Sequence, residues 1–135
     1  MTPPILVSAC LVGLCSRYDG ESRTNPACLH ALTGRLWVPL CPEQLGGLPT
    51  PRPAADICGG DGDDVFVGAA HVITKKGVDV TASFVRGARQ CEQVAQMLDI
   101  RQAFLKARSP SCAVTGVVGV TAALLRRRGL ALVEF

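Results

Sequence analysis

Charge and aromatic rings are scarce in this 135-residue sequence: Asp, Glu, Lys and Arg make up 19% and Phe, Trp and Tyr 4%. An average soluble domain carries roughly 25% charged residues. The low charge excludes an intrinsically disordered chain, which is rich in charge and poor in apolar residues. Here 48% is hydrophobic and the mean hydropathy is +0.29. The lack of aromatics leaves the core to Val, Leu and Ala, and the lack of charge leaves apolar surface for a partner or a cofactor to cover. No long apolar run is present either. The longest charge-free stretch, Ser109 to Leu125, has 17 residues and contains Pro110, Gly116 and Gly119, whereas a membrane span needs roughly 20 apolar residues. A net charge of +3, from 14 Lys+Arg against 11 Asp+Glu, is too small to point to nucleic acid. Neither a membrane nor a nucleic-acid partner is therefore expected.

Two local features imitate functional signals. Arg126-Arg127-Arg128 precedes Gly129 and reads as the last turn of a helix, where cations suit the dipole, rather than as a phosphate-binding patch. Leu6-Val7-Ser8-Ala9-Cys10 looks like a lipoprotein cleavage site, but no Lys or Arg precedes it and the apolar run is only Ile5 to Val7. A secretory signal needs a basic start and about 7–15 apolar residues. Residues 1–10 are read as mature chain and the protein as cytoplasmic. The length predicts one domain, 1–135.

Cysteine is what the sequence has in excess, with seven. An odd number cannot pair completely within the chain, and a chain of this length builds a core without disulfides. The options are buried inert thiols, a catalytic thiol and metal ligands.

The pattern along the chain separates them. Ile5 to Ala9 reads as a buried strand. Asn25-Pro26 can cap and start a helix that buries Cys28, Leu29 and Leu32 and ends at Gly34. Leu36 to Leu40 is the next strand, ending at Cys41-Pro42. Leu45 to Pro53, with two Gly and three Pro, is a stiff loop. Asp56 to Asp64 reads as a mobile Gly/Asp-rich loop, and Val65–Thr74 with Val78–Thr81 around Lys75-Lys76-Gly77 as a β-hairpin. Thr81 to Ile100 is the clearest helix, with Phe84, Ala88, Cys91, Ala95 and Leu98 on one face. Ala103–Lys106 is a strand, Gly119–Arg128 a helix and Leu130–Phe135 the last strand. The alternation predicts an α/β fold: a parallel sheet of about four strands with helices on both faces and a β-hairpin insertion.

On this layout Cys28 and Cys91 lie on apolar helix faces, where free cysteine behaves as a small hydrophobe. Cys58 and Cys15 have no evident role. Cys10, Cys41 and Cys112 each follow a parallel strand, and in open α/β sheets the ligand site lies outside those strand ends. Three converging thiolates suggest a metal centre with one open position. That suits a catalytic zinc or an iron–sulfur cluster with one iron lacking a cysteine ligand. No His lies near these loops, and His30 and His71 read as structural. An all-sulfur set of three favours iron–sulfur over zinc.

The same residues carry a resemblance. Ser8-Ala9-Cys10-Leu11-Val12-Gly13, then Arg17-Tyr18-Asp19-Gly20, Cys41-Pro42-Glu43, Gly46-Gly47-Leu48-Pro49-Thr50-Pro51-Arg52-Pro53 and Leu105-Lys106-Ala107-Arg108-Ser109-Pro110-Ser111-Cys112 resemble the domain of unknown function 523 family, which includes the thiouracil desulfidases. The resemblance covers about residues 5–133. It implies a Rossmann-like fold and an oxygen-sensitive [4Fe-4S] cluster held by Cys10, Cys41 and Cys112. It also implies a reaction that replaces the sulfur of a small thiolated compound, such as 2-thiouracil, with oxygen from water. Zinc, or no metal in a sample purified in air, is the alternative.

Hydrolysis needs an acid/base, and Glu43, two residues after Cys41, is the candidate. Ser109 and Ser111 flank Pro110 beside Cys112 and are candidate catalytic hydrogen-bond donors, with a turn cap as the other reading. Ser8, Arg17, Arg52 and Arg108 are candidate substrate contacts, although exposed arginines are commonly plain surface. The sequence departs from the family pattern after Cys112. Ala113 stands where relatives carry Gly, and six residues lead directly to Gly119 where relatives carry an insert. That shortening motivates an alternative, a non-catalytic module that binds or senses a cluster or sulfide. A metal-free cysteine-nucleophile hydrolase ranks last, because no His stands near a strand-end cysteine. The sequence does not indicate an oligomeric state.

Overall fold

The computed structural model describes residues 2–135. In chain order its elements are β1 (Ile5–Ser8), a 3-10 turn (Ala9–Val12), α1 (Pro26–Ala31), β2 (Trp37–Leu40), α2 (Pro42–Leu45), β3 (Ala55–Cys58), α3 (Gly62–Phe66), β4 (His71–Thr74), α4 (Thr81–Met97), β5 (Gln102–Leu105), α5 (Val120–Arg127) and β6 (Ala131–Glu134). Four strands form a parallel sheet in the order β2-β1-β5-β6, and β3 pairs antiparallel with β4 in a separate two-stranded sheet.

Side chains alternate across a strand, and the central strands are apolar on both faces, as a covered parallel sheet requires. Leu6, Ala103 and Leu105 pack on one side against Cys91 and Ala95 of α4 and Ala122 and Leu125 of α5. Ile5, Val7 and Phe104 face the other side, against Leu11, Cys28 and Leu32. Phe104 also meets Phe135, ring centroids 5.1 Å apart. Asn25 caps α1 as its sequence predicts: its side chain accepts a hydrogen bond from the Cys28 amide at 3.0 Å, and Pro26 follows. The Ile5 amide bonds to the Leu36 carbonyl, and β2 pairs in the register Ile5↔Trp37 and Val7↔Pro39. In a parallel ladder this register turns the backbone of Trp37 and Pro39 to the outer edge. Proline therefore sits where a strand spares its N–H.

The hairpin is where the structure corrects the sequence reading. Val65 to Phe66 belongs to α3, and β4 pairs with Ala55–Cys58 in place of Val78–Thr81. The Lys75-Lys76-Gly77 turn is present, but beyond it only Asp79 bridges back, to Ile73, before α4 begins. The Asp56–Asp64 segment is likewise ordered structure. Asp61 and Asp64 form a capping box, in which each side chain accepts from the other's backbone amide, at 3.1 and 2.9 Å. The Asp-x-x-Asp spacing was a helix start hidden among glycines.

Two apolar residues also differ. Leu29 is 39% and Leu98 43% exposed. α1 has only six residues and buries Cys28 alone, and α4 ends at Met97, so Leu98 leaves the buried face. The Arg126–Arg128 run does end a helix. Arg126 and Arg127 pair with Asp63 at 3.5 and 3.0 Å, and Arg128 pairs with Glu92. No helix of the described residues is long and apolar enough to cross a membrane.

Candidate functional site

The C-terminal ends of β1, β2 and β5 open into one cavity of about 460 Å³. Cys10 enters it from the 3-10 turn after β1, Cys41 from the residue after β2, and Cys112 from the long loop after β5. Ser8, Arg17, Glu43, Arg52, Arg108, Ser109 and Ser111 line the same cavity, so all ten residues singled out in the sequence meet there. His30 and His71 do not line it.

Each wall is fixed by a local device. Cys41 and Pro42 start α2, whose Pro42 fits the first helical position. α2 lies against α4 at Gly87, where any Cβ would fall onto the Pro42 carbonyl. The crossing of these helices thus sets the height of Cys41 and Glu43 above the sheet. The Cys112 loop is held by α5. The amides of Val120, Thr121 and Ala122 donate to the carbonyls of Pro110 and Ser111 at 2.9, 2.9 and 3.0 Å. These are donors that a helix N-terminus otherwise leaves unpaired. Gly119 packs against the Ser111–Cys112 backbone, where a side chain would collide. The six residues after Cys112 are tied to β6. Glu134 accepts from the amides of Val114 (2.7 Å) and Thr115 (3.0 Å) and from the Thr115 hydroxyl (2.6 Å). These bonds, Thr115 first, hold its carboxyl below the usual range.

The side chains around the cavity play different parts. Ser109 is a turn cap, its hydroxyl oxygen accepting from the amides of Ser111 and Cys112, both at 3.1 Å. Ser111 donates to Glu43 Oε2 at 3.0 Å, and Arg52 Nε donates to Glu43 Oε1 at 3.0 Å. The carboxylate is therefore held by both oxygens. Arg52 is buried, unlike a surface arginine. Its NH1 donates to the Pro49 carbonyl (3.2 Å) and the Thr50 hydroxyl (2.9 Å), and its NH2 to the Ser16 carbonyl (2.9 Å) and the Cys41 sulfur (3.9 Å). Ser8 accepts from the Lys106 amide at 3.0 Å. Arg17 pairs with Asp19 at 3.3 Å and stacks on Tyr18, 5.3 Å from the ring centroid. That hydrogen bond holds the Asp19 carboxyl below its ordinary value.

Several cavity residues escaped the sequence reading, among them Lys106, Ser16, Arg23, Asp56 and Lys75. Lys106 directly follows β5, the strand-end position that marked the cysteines, which was the available signal. Burial lowers its ammonium pKa, with Cys10 acting the other way. Ser16 acts through its carbonyl, which no residue type announces.

Burial pushes the thiols of Cys10 and Cys112 up, and a hydrogen bond from Ser8 works against this at Cys112. Among the described residues no three His, Cys, Asp or Glu side chains stand close enough to share one metal ion. Three thiols spread around one cavity fit a cluster of several metal ions and sulfides better than a single zinc, whose ligands must converge on one tetrahedron.

From residue 5 to 134 the sequence matches the family model described as 2-thiouracil desulfurase. The chain belongs to the 2-thiouracil desulfurase family. The uncharacterized protein YbbK of Bacillus subtilis (strain 168) is 37% identical, over 96% of this chain and 94% of its own. The solved structure of the [4Fe-4S]-dependent thiouracil desulfidase TudS is similar at a TM-score of 0.82 and 41% identity, covering 98% of this chain and 91% of that one. The parallel sheet with its separate antiparallel pair is thus a desulfurase-family fold, and the cavity lies at its strand ends.

Proposed function

We propose that the chain removes sulfur from a small thiolated compound such as 2-thiouracil. Cys10, Cys41 and Cys112 hold a [4Fe-4S] cluster and Glu43 moves the proton. The observation that carries this reading is that three thiols and a carboxylate fixed at both oxygens share one cavity. Similarity to TudS supplies the cluster type. When bound, such a cluster supplies an iron without a cysteine ligand, a Lewis acid toward sulfur.

The protein's own residues do the rest. Cys10 and Cys112 are buried, so water reaches the cavity from the open side. Glu43 keeps 15% of its side chain exposed there. It is positioned to take a proton from the attacking water and return one to the departing sulfide. The carbon–sulfur double bond is replaced by a carbon–oxygen double bond, water supplies the oxygen, and no electron is gained or lost. Six cationic side chains line the cavity (Arg17, Arg23, Arg52, Lys75, Lys106, Arg108) against two acids, Glu43 and Asp56. This excess of cations offsets the negative charge that three thiolate ligands bring.

Anaerobic reconstitution tests the reading. Wild-type protein should take up about four irons per chain and release sulfide from 2-thiouracil. Glu43→Gln should keep the iron and lose roughly 10²–10⁴-fold in kcat, the usual worth of general acid–base catalysis. Full iron loading in the Cys10/Cys41/Cys112→Ser triple variant would overturn the ligand set. The short segment after Cys112 favours a second reading, a non-catalytic module binding a cluster or sulfide. Iron-loaded protein that never releases sulfide from thiolated pyrimidines would decide for it.

A further inference from the structure

A guanidinium has five N–H groups and no acceptor. In Arg52 all five are engaged by the protein. Nε–H goes to Glu43, the two NH1 hydrogens to Pro49 and Thr50, and the two NH2 hydrogens to the Ser16 carbonyl and the Cys41 sulfur. The backbone is also fixed, its amide donating to the Tyr18 carbonyl at 2.8 Å. Nothing is left to clamp a substrate, although the side chain lines the cavity. The Ser16 carbonyl is shared, since the Cys41 thiol also approaches it at 3.5 Å.

We infer that Arg52 is a positioning residue that locks the Cys41 sulfur and the Glu43 carboxylate into one rigid unit, and that it is not a substrate contact. The inference rests on the reading of Cys41 as a cluster ligand and Glu43 as the proton carrier. It adds that the two are coupled through one buried cation. A cationic donor beside a thiolate ligand withdraws charge from the metal, so its removal lowers the reduction potential of the cluster. Lysine cannot substitute, because it offers a single point charge where a planar fork is needed.

The test compares wild type, Arg52→Gln and Arg52→Lys after anaerobic reconstitution. Both variants should lose about 10- to 100-fold in kcat, as is usual when a ligand's outer partner is removed, with KM for 2-thiouracil unchanged within about twofold. In Arg52→Gln the cluster potential should move to more negative values. A raised KM with kcat and potential unchanged would make Arg52 a substrate contact and overturn the inference. Iron-free protein gives an independent readout, which also serves if a variant fails to fold. The side-chain N–H signals of Arg52 in a nitrogen-15 NMR spectrum should shift in both Cys41→Ser and Glu43→Gln. Shifts in neither would overturn the inference. Absence of iron in reconstituted wild type would sink the proposed function while this spectrum still decides the role of Arg52.

Discussion

Five of the seven cysteines form two sets, with Cys15 and Cys58 exposed and outside both, and burial alone does not separate Cys28 and Cys91 from Cys10 and Cys112. Cys28 and Cys91 are 0% exposed, and Cys10 and Cys112 only 7% and 4%. The difference lies in what each thiol faces. Cys28 looks at Leu11, Leu32 and Phe104 under one side of the sheet, and Cys91 at Ala95, Ala122 and Leu125 on the other. There the thiols are packing groups, with pKa values pushed by burial to about 11 and about 12. Cys10, Cys41 and Cys112 have an apolar sheet behind them and, in front, hydroxyls, a carboxylate and guanidinium groups. The three proposed ligands differ from the core thiols in the polar groups packed around them.

The largest expected effect breaks the comparison outright. Serine at Cys10, Cys41 or Cys112 should each sharply lower iron uptake on reconstitution. Alanine at Cys28 or Cys91 should leave iron content unchanged and cost roughly 1–2 kcal/mol in a denaturant titration, through lost packing. Iron loss in Cys28→Ala would erase the distinction. A smaller effect is expected at Gly87. Alanine there forces α4 off α2 and should destabilise by about 1–3 kcal/mol, the usual cost of overpacking. Because the crossing carries Cys41 and Glu43, Gly87→Ala should also lower kcat, which a simple core lesion would not do.

The pH dependence does not separate the two sets, because burial raises the thiols of Cys10 and Cys112 as well as those of Cys28 and Cys91. Cys28 and Cys91 have folded pKa values above the ordinary 9.0. Folding then holds their protons more tightly than the unfolded chain does. Stability is complete below pH 9 and is lost as pH rises toward 11 and 12, at about 1.4 kcal/mol per pH unit for each thiol. Cluster-free protein titrated with urea between pH 8 and about 11 checks this, and Cys28→Ala should flatten the slope. The smallest effect is expected at Asp61→Ala, which removes the cap of α3. It should cost about 1 kcal/mol with iron uptake intact.

The parallel sheet was legible in the sequence because its strands are short apolar runs with helices of clear period between them. Asn25-Pro26, the Phe84–Ala95 face and Gly129 marked their boundaries for plain steric reasons. The strand ends alone brought Cys10, Cys41 and Cys112 to one crevice. The antiparallel pair was misread because Ala-Asp-Ile-Cys of β3 is too short and too polar to advertise a strand, and its partner lies across the Asp61–Asp64 capping box. The internal arrangement of the site could not be read. That Ser109 caps a turn while Ser111 holds Glu43, or that Arg52 is buried with every hydrogen engaged, depends on which carbonyls the loops turn inward. Residue types do not encode that.

Pro39 has a consequence for how molecules of this protein meet. An edge strand ordinarily offers a row of donors that a neighbouring chain can annex. On β2 that row is interrupted one residue before Leu40 and two before Cys41. A foreign strand cannot complete a ladder along it without leaving one of its own carbonyls unpaired. The strand that delivers a thiol to the cavity is thereby protected from recruitment into another molecule's sheet.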